Sequence, residues 1–535
     1  MVASRMSVPL GQVFTPAAVA DLTLALALEN APLEARLLDP ACGDGVFLAR
    51  AVARGLPPEQ VRGVEIDAAT ARRVHGFRVR IGDFLTGEVE PVDVVVGNPP
   101  YVRQEVLGPL RKQQIARRLA TDWPDCPSFG GRADLALAFV VRALAVVEPG
   151  GRVAFVLSQA VFDAGYGEAL RRFLSTRAHL LAVVTSPAER WFPDAAVHAA
   201  IVVLERASGR ARQSTVFARL RVPVTVAARR VAGVADLATV ADVRIVDGSA
   251  VWERPWGPLL RASQAWFDFV RVAGEALVPL DELCEVRRGM TSGANQFFYV
   301  GRETAAGIEP QFLSPLFKTP RHATTMRVDP GALPTRVFRC DLDAQDLRRF
   351  PGAGAYVRAH ADLGTRPTLA ARDPWWSLTA TPAQVFVAKA YDARFVQCYS
   401  PTPVCADQRV YTAHPRRGID AELLAALLNG TVTAFALESL GRASLGEGAL
   451  EWSVHDMRKL PVLDVRRAAS VPVLHAFRQL AQRRIGTVDE ECRATDREAL
   501  DLALLAGVDG VDLPIVREAL VATVGERLRR GGTRA

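Results

Sequence analysis

Asn98-Pro99-Pro100-Tyr101 concentrates the chemistry in this sequence, at the end of the apolar run Val92–Gly97. The side-chain carbonyl of Asn98 is a hydrogen-bond acceptor. The Pro99 carbonyl is a second acceptor, held in a rigid frame because proline fixes φ, and Pro100 stiffens that frame further. Two acceptors side by side suit an exocyclic amine, whose lone pair is delocalised into its ring and therefore nucleophilic only weakly. Accepting from both N–H groups draws such an amine toward a tetrahedral, more reactive state. Tyr101 offers a flat face for a base taken out of a duplex, and stacking returns part of the few kcal/mol that extrusion costs. The plain alternative is an Asn-Pro turn after a strand.

Three upstream segments hold residues suited to a nucleoside cofactor. Asp39-Pro40-Ala41-Cys42-Gly43-Asp44-Gly45 lies where a strand should turn into a helix, and Gly43 and Gly45 let backbone approach a ligand. Glu65-Ile66-Asp67 ends the next apolar run; Glu65 is placed to accept from ribose hydroxyls, and Asp67 to cap the following helix. Gly82-Asp83-Phe84 closes a third run, with Asp83 an acceptor for an adenine amine and Phe84 a cover for its ring. The glycine turn lacks the G-x-G-x-x-G spacing, and Asp39 and Asp44 flank it. A pyrophosphate prefers bare amides and cations, whereas the sulfonium amino acid S-adenosylmethionine tolerates carboxylates. Thr15-Pro16 starts a helix ahead of these segments, with Thr15 expected as its cap.

The elements that position these residues read as strands alternating with helices. Arg36–Asp39, Val61–Ile66, Val92–Gly97, Arg152–Leu157 and Ala199–Leu204 form short apolar runs, with helical patterns at 46–55 and 135–147 and a turn at Glu148–Gly151. That alternation predicts a doubly wound α/β sheet. Residues 1–245 are expected as the catalytic domain and 246–276, rich in Trp, Arg and Pro, as a linker. Residues 277–465 are expected as a smaller α+β or mostly β domain, and 466–535 as a helical segment.

Taken together, these segments resemble the amino-methyltransferases, specifically the gamma-class (TaqI-like) DNA adenine-N6 methyltransferases of restriction-modification type. Their order runs Thr-Pro, glycine-rich motif, Asn-Pro-Pro-Tyr, then a target-recognition domain. The resemblance is specific over about 11–205 and looser over 277–465. It implies a Rossmann-like S-adenosylmethionine-dependent catalytic domain acting on double-stranded DNA. It implies Asn98, Pro99, Pro100 and Tyr101 as catalytic residues, and Thr15, Asp39, Ala41, Gly43, Gly45, Glu65, Ile66, Asp83, Phe84 and Asn98 as the cofactor site. It also implies Phe192, within Trp191-Phe192-Pro193, as a second stacking partner for the target base beside Tyr101; Ala195 stands where one member of the family has a Lys. In the second domain Arg287, Arg288, Lys318, Arg321, Arg366, Lys389 and Arg409 are candidate contacts to phosphates or base edges.

Composition sets limits. The chain has 535 residues, 49% hydrophobic and 23% charged, enough to fill large cores. Its net charge of +7 favours an anionic partner. Seven cysteines without a Cys-x-x-Cys pair, and eight unclustered histidines, give no metal site and no disulfide framework, which suits a cytoplasmic protein. No apolar run reaches membrane-spanning length. A monomer or weak dimer is expected, with a separate cognate restriction endonuclease as a possible partner. RNA or a protein glutamine remains an alternative substrate. Cytosine-N4 chemistry would suit Ser better than Asn98. A bifunctional restriction endonuclease-methyltransferase is a rival of another class. Against it, Leu110, Leu316, Val387 and Met457 stand two positions before the only lysines, where a common metal nuclease needs an acid. A pure DNA-binding subunit would not need both motifs intact.

Overall fold

A computed structural model describes residues 14–101, 107–127, 135–158, 167–187, 189–192, 199–209, 214–253, 255–320, 323–443 and 448–530. The chain divides into two compact units, 1–261 and 262–535.

The first unit is built on a nine-stranded sheet. Its strands are β1 (Leu37–Asp39), β2 (Val61–Glu65), β3 (Arg78–Ile81), β4 (Val92–Gly97), β5 (Val147–Ser158), β6 (Ala178–Thr185), β7 (Ala199–Arg206), β8 (Thr215–Leu220) and β9 (Ala241–Val246). Their order across the sheet is β3-β2-β1-β4-β5-β7-β6-β8-β9. Strands β3 through β5 run parallel, and β7 is antiparallel to both β5 and β6. Val94, Val95 and Val96 of β4 are all buried. A parallel strand covered on both faces needs such a continuous apolar run, and each of these side chains contributes about 1.5–3 kcal/mol on burial.

The helices of this unit that bear on the site are α1 (Ala17–Ala27), α2 (Val46–Ala53), α3 (Ala68–Ala71), α4 (Pro109–Asp122) and α5 (Leu135–Val146). The chain leaves β1 toward β2 and β3, then returns to the other side of β1 as β4. The ends of β1 and β4 therefore flank the topological switch point, where ligands enter doubly wound sheets. The turn expected at Glu148–Gly151 is instead part of β5. Gly150, at φ 83°, and a register shift against β4 between Val92 and Val94 absorb the bend there.

The second unit is α+β. Its seven-stranded sheet has the order Cys284–Arg288, Val410–Pro415, Ala383–Ala388, Cys398–Ala406, Leu313–Phe317, Thr335–Phe338, Tyr299–Gly301. One expectation about the boundaries is corrected. Residues 246–276 are not a linker: Trp252 and Trp256 are buried edge-on at 5.5 Å, and helix Gln264–Ala273 buries Trp266 against Phe435. Tryptophans that read as a junction are core residues. The C-terminal helices belong to this unit, since Leu500, Leu504, Val516 and Leu520 join the same core as Val385 and Phe386. Among the described residues no single helix is long and apolar enough to cross a membrane.

Candidate active site

An open pocket lies at the switch point of the first unit. It is lined by the ends of β1, β2 and β4, by the turn after β3, and by residues of α4 and α5.

The glycine turn after β1 forms the first wall. Gly43 and Gly45 have φ of 51° and 82°, conformations that side-chain-bearing residues rarely adopt. A Cβ on Gly43 would meet nothing within 4 Å, so that wall stands open to a ligand. Gly45 starts α2 and is packed against Val74 instead; it shapes the turn without lining the pocket. Asp39 also stands behind the wall, at 1% exposure, accepting from the Ala41 N–H at 3.1 Å. Burial pushes its carboxyl up to about 8, with Glu65 and Asp44 adding to the rise and the Ala41 bond opposing it.

Glu65 joins two of the three cofactor segments. Its Oε2 accepts from the Gly43 N–H at 2.9 Å and its Oε1 from the Asp67 N–H at 2.9 Å. A carboxylate has about four acceptor positions, so capacity remains for ribose hydroxyls. Asp67 caps α3 through Thr70, as expected.

Asp83 lines the third wall but is ion-paired with Arg111 of α4 at 3.1 Å, and it also accepts from the Leu85 N–H. Phe84 departs from its expected role. It lines the pocket, yet it is only 1% exposed, with its ring stacked on Phe139 of α5 at 5.5 Å. The accessible apolar surface there comes from Ile66, 42% exposed.

At the reactive end, Asn98 Nδ2 donates to Thr15 Oγ1 at 3.1 Å, across 83 residues of sequence. Thr15 is therefore not the helix cap that was expected. Pro16 occupies the cap position of α1 with no side-chain bond, and the Thr15 hydroxyl orients Asn98. Nδ2 is turned to Thr15, so Oδ1 is the acceptor end of the amide at the opposite side. Gly97 is equally constrained, because a Cβ on it would lie 2.7 Å from Asp39 Oδ1. The Tyr101 hydroxyl donates to the Val156 carbonyl at 3.3 Å, fixing a ring that lines the pocket.

The pocket thus gathers Ala41, Gly43, Glu65, Ile66, Asp83, Phe84, Asn98, Pro99, Pro100 and Tyr101, with Thr15, Asp39 and Gly45 as supports. Phe192 does not line it; at 2% exposure it is packed in the core with Trp191 and Ala199. Pro193 and Ala195 lie outside the described residues, as does Arg321. Phe14, Arg111, Leu135 and Phe139 were not foreseen. An i, i+4 pair such as Leu135 and Phe139 marks one helix face, but nothing in the sequence says which end of α5 meets a ligand.

The sequence model of the family described as N-6 DNA Methylase matches residues 1–231. That of the Type II methyltransferase M.Eco57I C-terminal domain matches residues 264–500. Residues 1–231 are thus an N-6 DNA methylase domain. The two domains and the relatives together make the chain an S-adenosylmethionine-dependent DNA methyltransferase of restriction-modification type. It is similar to the Type II methyltransferase M.PaeR7I of Pseudomonas aeruginosa, 26% identical over 408 residues, covering 66% of this chain and 67% of the relative. It is similar also to M.XamI of Xanthomonas campestris pv. amaranthicola, 26% identical over 449 residues, covering 78% and 79%. Among solved structures, the Type IIL restriction-modification enzyme MmeI in complex with DNA matches with a TM-score of 0.56 at 14% identity, over 95% of this chain and 75% of that one; this likeness concerns the fold.

The pocket of this methylase fits its cofactor by donor set and shape: an open glycine wall, a buried acid at the end of β2, an acid and apolar side chains at the third wall. Among the described residues no cluster of His, Cys, Asp or Glu could hold a metal.

The second-unit candidates differ in surroundings. Arg287 is paired with Glu285 at 2.6 Å, and Arg366 is exposed beside the short helix Pro367–Ala370. Arg288, Lys318, Lys389 and Arg409 gather around one turn, Asp407–Arg409.

Proposed function

We propose that this chain is the stand-alone modification enzyme of a restriction-modification or phage-defence system, working in the cytoplasm as a monomer or weak dimer beside a separate endonuclease. Its substrate is an adenine flipped out of double-stranded DNA at one short sequence. The carrying observation is the Thr15–Asn98 hydrogen bond at the pocket's reactive end.

That bond turns the Asn98 carbonyl toward the substrate amine. The Pro99 carbonyl accepts the amine's second N–H. Together they localise the lone pair on nitrogen and stabilise the charge that builds there, by positioning rather than covalent chemistry. Tyr101 stacks on the extruded base, its ring fixed by the Val156 carbonyl. Glu65 and Asp83 orient the cofactor's nucleoside, and Ile66 covers it. S-adenosylmethionine, when bound, supplies an electrophilic methyl group.

Single-molecule sequencing of DNA from a methylation-free host tests this. The wild type should leave N6-methyladenine in one short context, and Asn98→Ala should leave none while still binding DNA. An unmarked genome with the wild type, or an equally marked one with Asn98→Ala, would sink the proposal.

A further inference from the structure

The turn Asp407–Arg409 joins strands Cys398–Ala406 and Val410–Pro415. Asp407 is charged yet only 1% exposed, and its carboxylate ties the turn together. Oδ1 accepts from the Arg409 backbone N–H at 2.8 Å and from Arg409 Nε at 2.9 Å; Oδ2 accepts from the Tyr299 hydroxyl. Burial works against the charge, but Arg409 and Tyr299 outweigh it and hold this carboxyl below the usual range.

The neighbouring backbone leaves the turn no slack. A Cβ on Gly289 would lie 2.2 Å from the Asp407 carbonyl oxygen, and the Met290 N–H donates to the Ala406 carbonyl at 2.8 Å. Arg288 and Thr291 each donate to Gln408 Oε1 at 3.3 Å, and Lys389 Nζ donates to the Gln408 carbonyl at 2.7 Å. Lys389 also lies over the Tyr411 ring, and Lys318 over the Tyr299 ring.

Charge is unbalanced here. Some exposed arginines elsewhere in the unit meet carboxylates, as Arg466 meets Asp464 and Arg478 meets Glu422. At this turn four cations gather: Arg409 pairs with the Asp407 carboxylate, Arg288 and Lys389 donate to Gln408, and Lys318 lies over Tyr299.

The Arg409 side chain is 59% exposed while Asp407 holds its Nε. Its two terminal nitrogens therefore remain as a planar fork pointing away from its anchor. Such a fork matches O6 and N7 of guanine in the major groove, the commonest specific contact of that kind. Gln408 has its oxygen engaged and presents its amide N–H groups, which suit a base-edge acceptor. Loose cations bind any phosphate; a buttressed one can discriminate, because its geometry is fixed before DNA arrives.

We propose that Asp407–Arg409 is a base-reading turn, with Arg409 reading a guanine of the recognition sequence and Gln408 the adjoining pair. Asp407 is the positioning residue for Arg409, and Arg288, Lys318 and Lys389 seat the flanking phosphates. This rests on the double-stranded DNA reading given above.

The test compares the full-length wild type, Arg409→Ala and Lys318→Ala in a methylation-free host, with methylated contexts read by single-molecule sequencing. The wild-type context should contain a fixed guanine. Arg409→Ala should still methylate adenine but lose roughly 10- to 100-fold of its preference at that guanine alone. Lys318→Ala should lower methylation evenly across contexts. An unchanged context with Arg409→Ala, or an even loss across contexts, overturns the base-reading role. A wild type that leaves no methyladenine overturns the underlying DNA reading first, and this inference with it.

Discussion

Glu65 accepts the Gly43 and Asp67 N–H groups through different oxygens, so neither oxygen can become a donor without facing another donor. Glu65→Gln forces that conflict and removes the charge. Hydrogen bonds to charged groups contribute roughly 1.5–3 kcal/mol, so S-adenosylmethionine should bind roughly 10- to 100-fold more weakly, with DNA binding unchanged. Calorimetric titration measures both, and an unaltered cofactor affinity would remove Glu65 from the site. Asp39 yields a pH prediction. Its carboxyl lies at about 8 in the fold, raised by burial from the ordinary 3.8. The folded state therefore binds more protons than the unfolded chain between those values, and stability falls as pH rises through that window. Asp39→Asn has no proton to lose there. Wild-type melting temperature should drop relative to Asp39→Asn from about pH 4 to about pH 8, with a constant gap above; parallel curves would contradict it. Asn98 and Glu65 were legible as pocket-lining residues because each stands at the end of an apolar run that had to be a strand, whereas the strand before Asp83 alternates Arg with Val and Ile and is largely exposed. Arg111 was not legible, because its pairing with Asp83 depends on how α4 lies across the sheet. Phe84 was legible as aromatic, but not as a ring already occupied by Phe139.

Strands β1 and β4 are paired neighbours, and Gly97, the residue before Asn98, leaves room for the Asp39 carboxyl. A Cβ there would stand 2.7 Å from Asp39 Oδ1. Gly97→Ala should cost about 1–3 kcal/mol by overpacking and should lower methylation more than DNA binding, because the displaced residue adjoins Asn98. Thermal melting with a binding assay checks this; a variant with wild-type melting and turnover would show that the approach does not matter. Strands β1, β2 and β4 were readable because burial demands apolar sequence, whereas the parallel edge strand β3, Arg-Val-Arg-Ile, is largely exposed. The segment 246–276 was misread because Trp, Arg and Pro together resemble a junction, and only tertiary packing shows Trp252, Trp256 and Trp266 to be buried. Glu148–Gly151 was misread as a turn because a bulged strand with a positive-φ glycine carries the same residue types.

At the scale of the whole molecule, two units divide the work: one holds the pocket, the other the basic turn. The surplus of positive charge was visible in composition, but its concentration at Asp407–Arg409 was not, since Arg288, Lys318, Lys389 and Arg409 lie on four separate stretches of chain. The helices near the C-terminus were legible as helices, whereas their share in the second unit's core depends on contacts far apart in sequence. The most direct measurement is transfer of a labelled methyl group from S-adenosylmethionine to duplex DNA by the purified protein, followed by digestion to nucleosides. The label should appear in N6-methyladenine with the wild type, and Asn98→Ala should reduce it on the order of 10²–10³-fold or more. Label confined to cytosine, or a rate untouched by Asn98→Ala, would contradict the assignment of adenine chemistry to this pocket.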